Sequence, residues 1–97
     1  VSLKIGKIKE VRDHPNADRL YILTVEIGEE IRELVAGIKK AYKPEELKDK
    51  LVVVVDNLQP AVIRGVESNG MVLATQDGDT LAVLTPEKPV SSGSQVK

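Results

Sequence analysis

Hydrophobic residues fall into short runs along this chain, separated by polar stretches that contain glycine and proline. The longest run, Leu51–Val55, has five consecutive aliphatic residues, four of them valine. Because valine is stiff at χ1 and packs well on a pleated surface, this run predicts a strand that is buried on both faces. Residues 71–74 predict the next strand, so residues 56–69 form a long connection. Connections of this length are usually functional or disordered, and the apolar residues in this one argue against disorder.

The part of the chain before the valine run predicts three strands. Apolar positions over residues 3–11 predict the first, and their parity changes near Gly6, which indicates a bulge or a sharp bend. A polar, turn-rich loop over residues 12–19 follows. The second strand is predicted over residues 20–27, and a short turn then predicts a hairpin with a third strand over residues 31–38.

A short helix is predicted over residues 43–47, because proline suits the first helical position and glutamates suit the positive end of the helix dipole. After the valine run and the strand at 71–74, an Asp-Gly turn at 76–79 leads to a short strand over 81–84. Residues 85–97 are rich in proline, serine and glycine, so we expect them to lie extended on the surface.

This order of elements predicts an all-β fold. Five strands with one short helix between strands 3 and 4 indicate an OB-fold, a five-stranded Greek-key barrel, here with a C-terminal extension. We expect a single domain over residues 1–97, with the barrel over about 1–75 and a dimerisation extension over about 76–97. OB-folds bind oligonucleotides through the face of strands 2 and 3 and the loops after strands 1 and 4. Those loops are residues 12–19 and 56–69.

Composition narrows the range of functions. The net charge of −1 does not by itself indicate nucleic-acid binding, but basic residues are concentrated in residues 1–12 and 39–50. A near-neutral chain can still present a basic face, and ordinary solvated surface is the alternative. The absence of cysteine excludes disulfides and thiolate metal sites and fits a reducing compartment. The apolar runs are too short to span a membrane, so we expect a cytoplasmic protein.

Neither a metal site nor catalysis is expected. His14 is the only histidine and has Asp13 and Asp18 nearby, yet one histidine without cysteine is a poor ligand set for a transition metal. We expect instead that Asp18 and Asn16 bond to backbone amides in their turn. Ser68 has no predicted base partner, and the glycines fit no phosphate-binding loop. We therefore expect no cofactor and no enzymatic activity in the chain itself.

Five segments together resemble one family. They are HPNADRLY at 14–21, VAGI at 35–38, YKPEEL at 42–47, NLQP at 57–60 and RGVESNGM at 64–71. In this order they are similar to the tRNA-binding domain that occurs as a free bacterial tRNA-binding protein and at the C-terminus of many methionyl-tRNA synthetases. The chain also resembles the separate β subunits of some archaeal synthetases. The resemblance implies an OB-fold, a homodimer, and non-catalytic, structure-led binding of tRNA that raises a synthetase's affinity for it.

The resemblance also implies a set of tRNA-binding residues near the mouth of the barrel. For Arg64, which is expected to contact phosphate or a base edge, the alternative is a surface ion pair with Glu67. For Arg19 and Lys40 the alternative is an ordinary solvated charge. For Asn57 the alternative is a role in a turn, and for Met71 it is a position in the core. The expected tRNA-binding residues are Arg19, Lys40, Asn57, Arg64, Ser68 and Met71.

The chain departs from the family pattern in the long connection. Between Pro60 and Gly65 the family often carries several basic residues, whereas here Arg64 is the only one, and Gln59 stands where lysine is common. Fewer charges mean fewer phosphate contacts and a shallower salt dependence of binding.

Aromatic content favours folded RNA over single strands. Single-strand binders stack bases on aromatic side chains, and this chain has only Tyr21 and Tyr42. Folded RNA that is recognised by shape, phosphates and 2′-hydroxyls needs less stacking.

The alternative function is a protein-interaction module of the same fold, either an export-chaperone relative or a pure dimerisation domain with little RNA binding. In either case open strand edges and the apolar outer face of the valine strand favour a homodimer.

Overall fold

The computed structural model of this protein describes residues 2–56 and 59–97. In that part of the chain the elements are β1 (Leu3–Asp13), β2 (Tyr21–Ile27), β3 (Glu30–Ala36), α1 (Pro44–Leu47), β4 (Leu51–Val55), β5 (Ala61–Ile63), β6 (Val66–Ser68), β7 (Met71–Val72), β8 (Ala74–Asp77) and β9 (Thr80–Val83).

The main sheet is antiparallel and curled, with the strand order β3-β2-β1-β4-β7. Its two outer strands, β3 and β7, approach each other. Asn69 lies just before β7, and its backbone N–H donates to the carbonyl of Glu33 on β3 at 2.9 Å. The predicted fold class is confirmed: the described residues are mostly β, with one short helix between the third and fourth strands. The two additional hairpins, β5–β6 and β8–β9, pair only within themselves.

The valine strand lines the core, but only one of its faces is fully buried. Val52 and Val54 are completely inaccessible to solvent, whereas Leu51 and Val53 are half-buried. At the edge of the strand, the backbone N–H of Val53 donates to the carbonyl of Leu84, which follows β9, at 3.0 Å. The prediction of two buried faces is therefore wrong for Leu51 and Val53.

The first strand is longer than predicted and is bulged. Its pairing with β2 skips a residue between Ile8 and Glu10, slightly beyond the predicted position. Gly6 leaves no room for a side chain, because a Cβ there would be 2.6 Å from Cγ1 of Val25. Since β1 continues to Asp13, the following loop begins at His14 and not at Arg12 as expected.

The long connection after β4 is not an irregular loop. Residues 61–68 form the β5–β6 hairpin, in which Ile63 pairs with Val66. The two-residue turn between them, Arg64-Gly65, has positive φ at both positions, 54° and 89°. Two positive φ angles are the requirement of the type I′ turn, whose twist matches that of the flanking strands.

The end of the chain runs back along the sheet. The backbone N–H of Ile5 donates to the carbonyl of Ser94 at 2.8 Å, and the N–H of Val96 donates to the carbonyl of Leu3 at 2.9 Å. This pairing uses the part of β1 that lies beyond the end of β2. The expectation of an extended, surface-lying tail is confirmed.

Candidate nucleic-acid interface

The tip of the β5–β6 hairpin is held by the loop that follows β1. Nε2 of His14 donates to the carbonyl of Ile63 at 2.9 Å, while Nδ1 accepts from the backbone N–H of Asn16 at 3.0 Å. Because Nδ1 is an acceptor, the ring carries its hydrogen on Nε2. The ring is 5% exposed, so these bonds are shielded from water.

A second, reciprocal pair of hydrogen bonds joins the same loop to the hairpin turn. The side-chain amide of Asn16 donates to the carbonyl of Arg64 at 2.9 Å, and the guanidinium of Arg64 donates to the carbonyl of Asn16 at 3.3 Å. The expectation that Asn16 bonds within its own turn is therefore wrong. The alternative ion pair between Arg64 and Glu67 is also absent from the described residues.

The three predicted cations line two concavities that share Arg19. Arg19 and Arg64 line one of about 370 Å³, and Arg19 and Lys40 line another of about 280 Å³. All three side chains are exposed. In the part of the chain that the structure describes, no salt bridge or side-chain hydrogen bond engages Arg19 or Lys40. The concavities thus bring together three cations that are far apart in sequence, which we call the basic cluster. Each concavity also has one carboxylate in its lining, Asp18 in the first and Asp79 in the second.

The other predicted residues are placed differently. Ser68 is buried, with its hydroxyl accepting from the N–H of Val35 and donating to the carbonyl of Gly70, both at 2.9 Å. Met71 is 48% exposed at the start of β7, not in the core, and it lines neither concavity. Asn57 lies outside the described residues.

An acidic groove of about 620 Å³ lies beside the same hairpin and between it and β3. Three of the four carboxylates that line this groove are paired with cations, Glu30 with Arg32, Glu33 with Arg12 and Asp56 with Lys4. The guanidinium of Arg32 is already engaged by the carboxylate of Glu30 at 3.0 Å and by the carbonyl of Asp56. The lining residues are Glu30, Ile31, Arg32, Glu33, Asp56, Pro60, Val66, Glu67 and Asn69.

Asp56 anchors the start of the connection that leads to the hairpin. Nζ of Lys4 lies 3.2 Å from its Oδ2, and its side chain is 8% exposed. Burial raises the pKa of Asp56, but hydrogen bonds from Ser2 and Lys4 and the positive charges of Lys4 and Arg32 outweigh burial. The net result is a pKa below the usual value, so the ionised carboxylate is the stable form in the fold.

The two tyrosines are structural and do not form a stacking platform. The hydroxyl of buried Tyr21 donates to the carbonyl of Tyr42 at 2.8 Å, and the hydroxyl of Tyr42 accepts from the N–H of Val83 at 3.0 Å. Burial, and then the charge of Asp13, raise the pKa of Tyr21, while the nearby charge of Lys39 lowers it, and the net direction is upward. These bonds join the second strand to the β8–β9 hairpin.

Two negative observations complete the site. Within residues 2–56 and 59–97, no three His, Cys, Asp or Glu side chains are arranged to hold a metal ion. In that same part of the chain, no helix is long and apolar enough to cross a membrane, since α1 has only four residues.

Sequence reasoning missed the role of His14 and Asn16. The sequence predicts only a local turn around them, but each bonds to a residue 48 or 49 positions away. Their only signal in the sequence is membership of the segment at 14–21, because bonds across such a separation leave no local pattern.

Comparison with known proteins settles the family. Residues 3–95 match the family model described as "Putative tRNA binding domain". The chain belongs to the tRNA-binding domain family. The resemblance noted in the sequence is thereby confirmed.

The relatives include methionine–tRNA ligases. The chain is 57% identical over 97 residues to the methionine–tRNA ligase of Pyrococcus horikoshii, a match that covers all of this chain and 13% of that protein. The chain therefore spans about an eighth of the length of this relative. It corresponds to a small part of a much larger enzyme.

Solved structures of similar proteins agree with the fold. A methionyl-tRNA-synthetase-related protein from Pyrococcus horikoshii is 32% identical, with a TM-score of 0.90 over 99% of this chain and 89% of that one. The CsaA chaperone protein of Picrophilus torridus is 30% identical, with a TM-score of 0.91 over 99% of this chain and 91% of that one. One fold therefore serves proteins described by two different functions.

Proposed function

We propose that this chain is a non-catalytic tRNA-binding and dimerisation module of a methionyl-tRNA synthetase, either its C-terminal domain or a separate β subunit. The observation that carries the proposal is the match over the full chain to a small part of methionine–tRNA ligases. A segment of 97 residues with no catalytic constellation in its described part fits an accessory domain. Because aminoacylation takes place where translation does, we expect the domain to work in the cytoplasm.

Support for RNA contact comes from the basic cluster. Arg19, Lys40 and Arg64 are exposed around two concavities that share Arg19, and one bond to Asn16 leaves most of the five guanidinium donors of Arg64 available. Arginine and lysine side chains supply the phosphate contacts that dominate nucleic-acid affinity.

Such a module raises affinity by tethering. A second, weak tRNA site on the same protein as the catalytic site turns the second binding step into an intramolecular event, so total affinity rises without a strong site of its own. A small number of phosphate-binding cations, as in this chain, is therefore sufficient for the role.

Dimerisation is supported by apolar surface next to the valine strand. Leu84 is 39% exposed and bonds through its carbonyl to half-buried Val53. Val90, in the C-terminal extension, is 42% exposed. We expect sedimentation equilibrium to give about twice the chain mass of 10.6 kDa. Leu84→Glu should give the monomer, whereas Ile31→Glu, at an exposed residue of β3, should not change the mass. A monomeric wild-type chain at micromolar concentration would contradict the dimer.

The RNA proposal is tested by titrating labelled bulk tRNA at about 50 and about 200 mM salt. Replacing the basic cluster with alanine should weaken binding and should lower the salt slope by about one for each phosphate that is no longer neutralised. The matched control removes the same charge elsewhere, at Lys48, Lys50 and Lys88. Equal effects of the two triple variants would show that net charge, not this site, determines binding.

The alternative function is a protein-interaction module. The observation that favours it is the similarity to a CsaA chaperone protein at a TM-score of 0.91. If the wild-type chain binds no tRNA at low salt, the alternative replaces the first proposal. Binding that disappears in the basic-cluster variant supports the first.

A further inference from the structure

We propose that His14 and Asn16 are positioning residues that hold Arg64 in its RNA-binding orientation. The inference rests on the proposed tRNA-binding function and adds two residues to it. Neither contacts the ligand in this proposal, because both act through the hairpin turn.

The hairpin needs such a device because strand pairing does not orient it. β5 and β6 form their own two-stranded sheet, separate from the main sheet. At the base, Ser68 bonds to Val35 of β3. At the tip, the bonds from His14 and Asn16 connect the hairpin to the loop after β1. Without the bonds at the tip, the turn would be free to move about its base.

The tip also contains a residue in a conformation that disfavours it. Arg64 has φ of 54°, in the left-handed region that disfavours a residue with a Cβ. The bond from the Asn16 amide fixes the Arg64 carbonyl in this conformation. Gly65 completes the turn and packs closely, since a Cβ there would lie 3.3 Å from Nδ2 of Asn16.

We call the hydrogen bonds from His14 to Ile63 and between Asn16 and Arg64 the clamp. The clamp orients the guanidinium of Arg64 as well as its backbone. The bond to the Asn16 carbonyl leaves Arg64 beside Arg19, on the shared concavity. An arginine that is ordered before binding loses less side-chain entropy when it meets a phosphate. Burial of the His14 ring shields its two bonds from water, whereas the two bonds between Asn16 and Arg64 are exposed.

Two substitutions of His14 separate the roles of its ring nitrogens. His14→Gln places a donor near the position of Nε2 and preserves the bond to Ile63. His14→Asn places its polar atoms near Nδ1, so it preserves the bond to the Asn16 N–H but no longer reaches the hairpin. We expect His14→Asn to weaken tRNA binding about three- to tenfold, and His14→Gln to restore most of the affinity. Equal affinities for the two variants would contradict the proposal.

A double-mutant cycle tests whether the clamp acts through Arg64. Arg64→Ala alone should weaken binding about tenfold, as expected for removal of a charged hydrogen bond. In the Arg64→Ala background, His14→Asn should have little further effect. If Arg64→Ala leaves affinity unchanged, the proposed RNA site is wrong. If it weakens binding and His14→Asn then adds its full effect, the RNA site remains and the clamp is wrong.

A measurement without RNA completes the test. Amide hydrogen exchange in residues 61–68 should be faster in His14→Asn and in Asn16→Ala, while the core strands stay protected. Asn16 is exposed, so its variant serves if His14→Asn fails to fold. Unchanged exchange and unchanged tRNA affinity in Asn16→Ala would overturn the proposal.

Discussion

The hydroxyl of Ser68 accepts a hydrogen bond from the backbone N–H of Val35 at 2.9 Å. The same hydroxyl donates to the carbonyl of Gly70 at 2.9 Å. A side chain thus connects the outer strand β3 to the chain that leads into β7, where no strand ladder does so. The outer strands of the curled sheet are joined here by this serine together with the backbone bond from Asn69 to Glu33.

The first prediction concerns this serine. Ser68→Ala leaves the buried N–H of Val35 without an acceptor, and we expect a loss of about 1–3 kcal/mol in the free energy of unfolding. Urea denaturation checks this, with Ser91→Ala, which removes an exposed hydroxyl, as the control. Stability within error of the control would mean that the bond contributes nothing. The tRNA affinity of the folded variant tests separately whether Ser68 also contacts RNA.

The second prediction concerns the tail. A Cβ on Gly93 would lie 2.8 Å from Cα of Gly28, so Gly93→Ala should detach the chain end from β1. Hydrogen exchange at the amides of Ile5 and Val96 should accelerate, because both bond across this pairing. The matched control is Gly78→Ala, which also has positive φ but meets no atom within 4 Å. It should cost only the backbone strain of about 1–2 kcal/mol and leave those amides protected.

The third prediction concerns pH. The pKa of Asp56 is lowered in the fold, so its carboxylate stabilises the protein above the unfolded pKa, and this contribution is lost as pH falls below about 4 through the folded pKa. Asp56→Asn should therefore be less stable than wild type at pH 7, and the difference should shrink in acid. Asp79→Asn, which removes an exposed carboxylate, is the control. A difference between Asp56→Asn and wild type that does not change with pH would contradict the role of its charge.

The fourth prediction compares neighbours on the valine strand. Val54 is fully buried, so Val54→Ala should destabilise the domain by about 1–3 kcal/mol, because two buried methyl groups are removed and a cavity remains. For half-buried Val53 the same change should cost less than about 1 kcal/mol. Thermal melting of the two variants checks the order, and equal destabilisation would mean that the outer face is covered in solution, as a dimer would do.

Much of the fold could be predicted from local pattern. The second and third strands, the short helix and the valine strand follow from apolar periodicity and from turn residues, which are properties of neighbouring positions. The hairpin at 61–68 was not predicted, because its turn has arginine where glycine or asparagine is usual for positive φ. Half-burial of Val53 was missed for a related reason: a run of valines does not reveal how much of each face will be covered.

Of the residues that form the candidate site, only the three cations could be predicted from the sequence. Arg19, Lys40 and Arg64 were selected by resemblance, and their grouping around two concavities depends on how three separate loops meet. The bonds from His14 and Asn16 to the hairpin had no signal in the spacing of neighbouring residues.

The sequence by itself determined the family, the order of the strands and the position of the helix, because these depend on residue types at short spacing. Only the tertiary structure decided that the hairpin tip is clamped by a loop 48 residues earlier and that Ser68 bonds to Val35 of β3. It also decided that the tail pairs with β1. The physical reason is that a hydrogen bond depends on the distance and angle between its groups, and those are fixed only when the whole chain has folded.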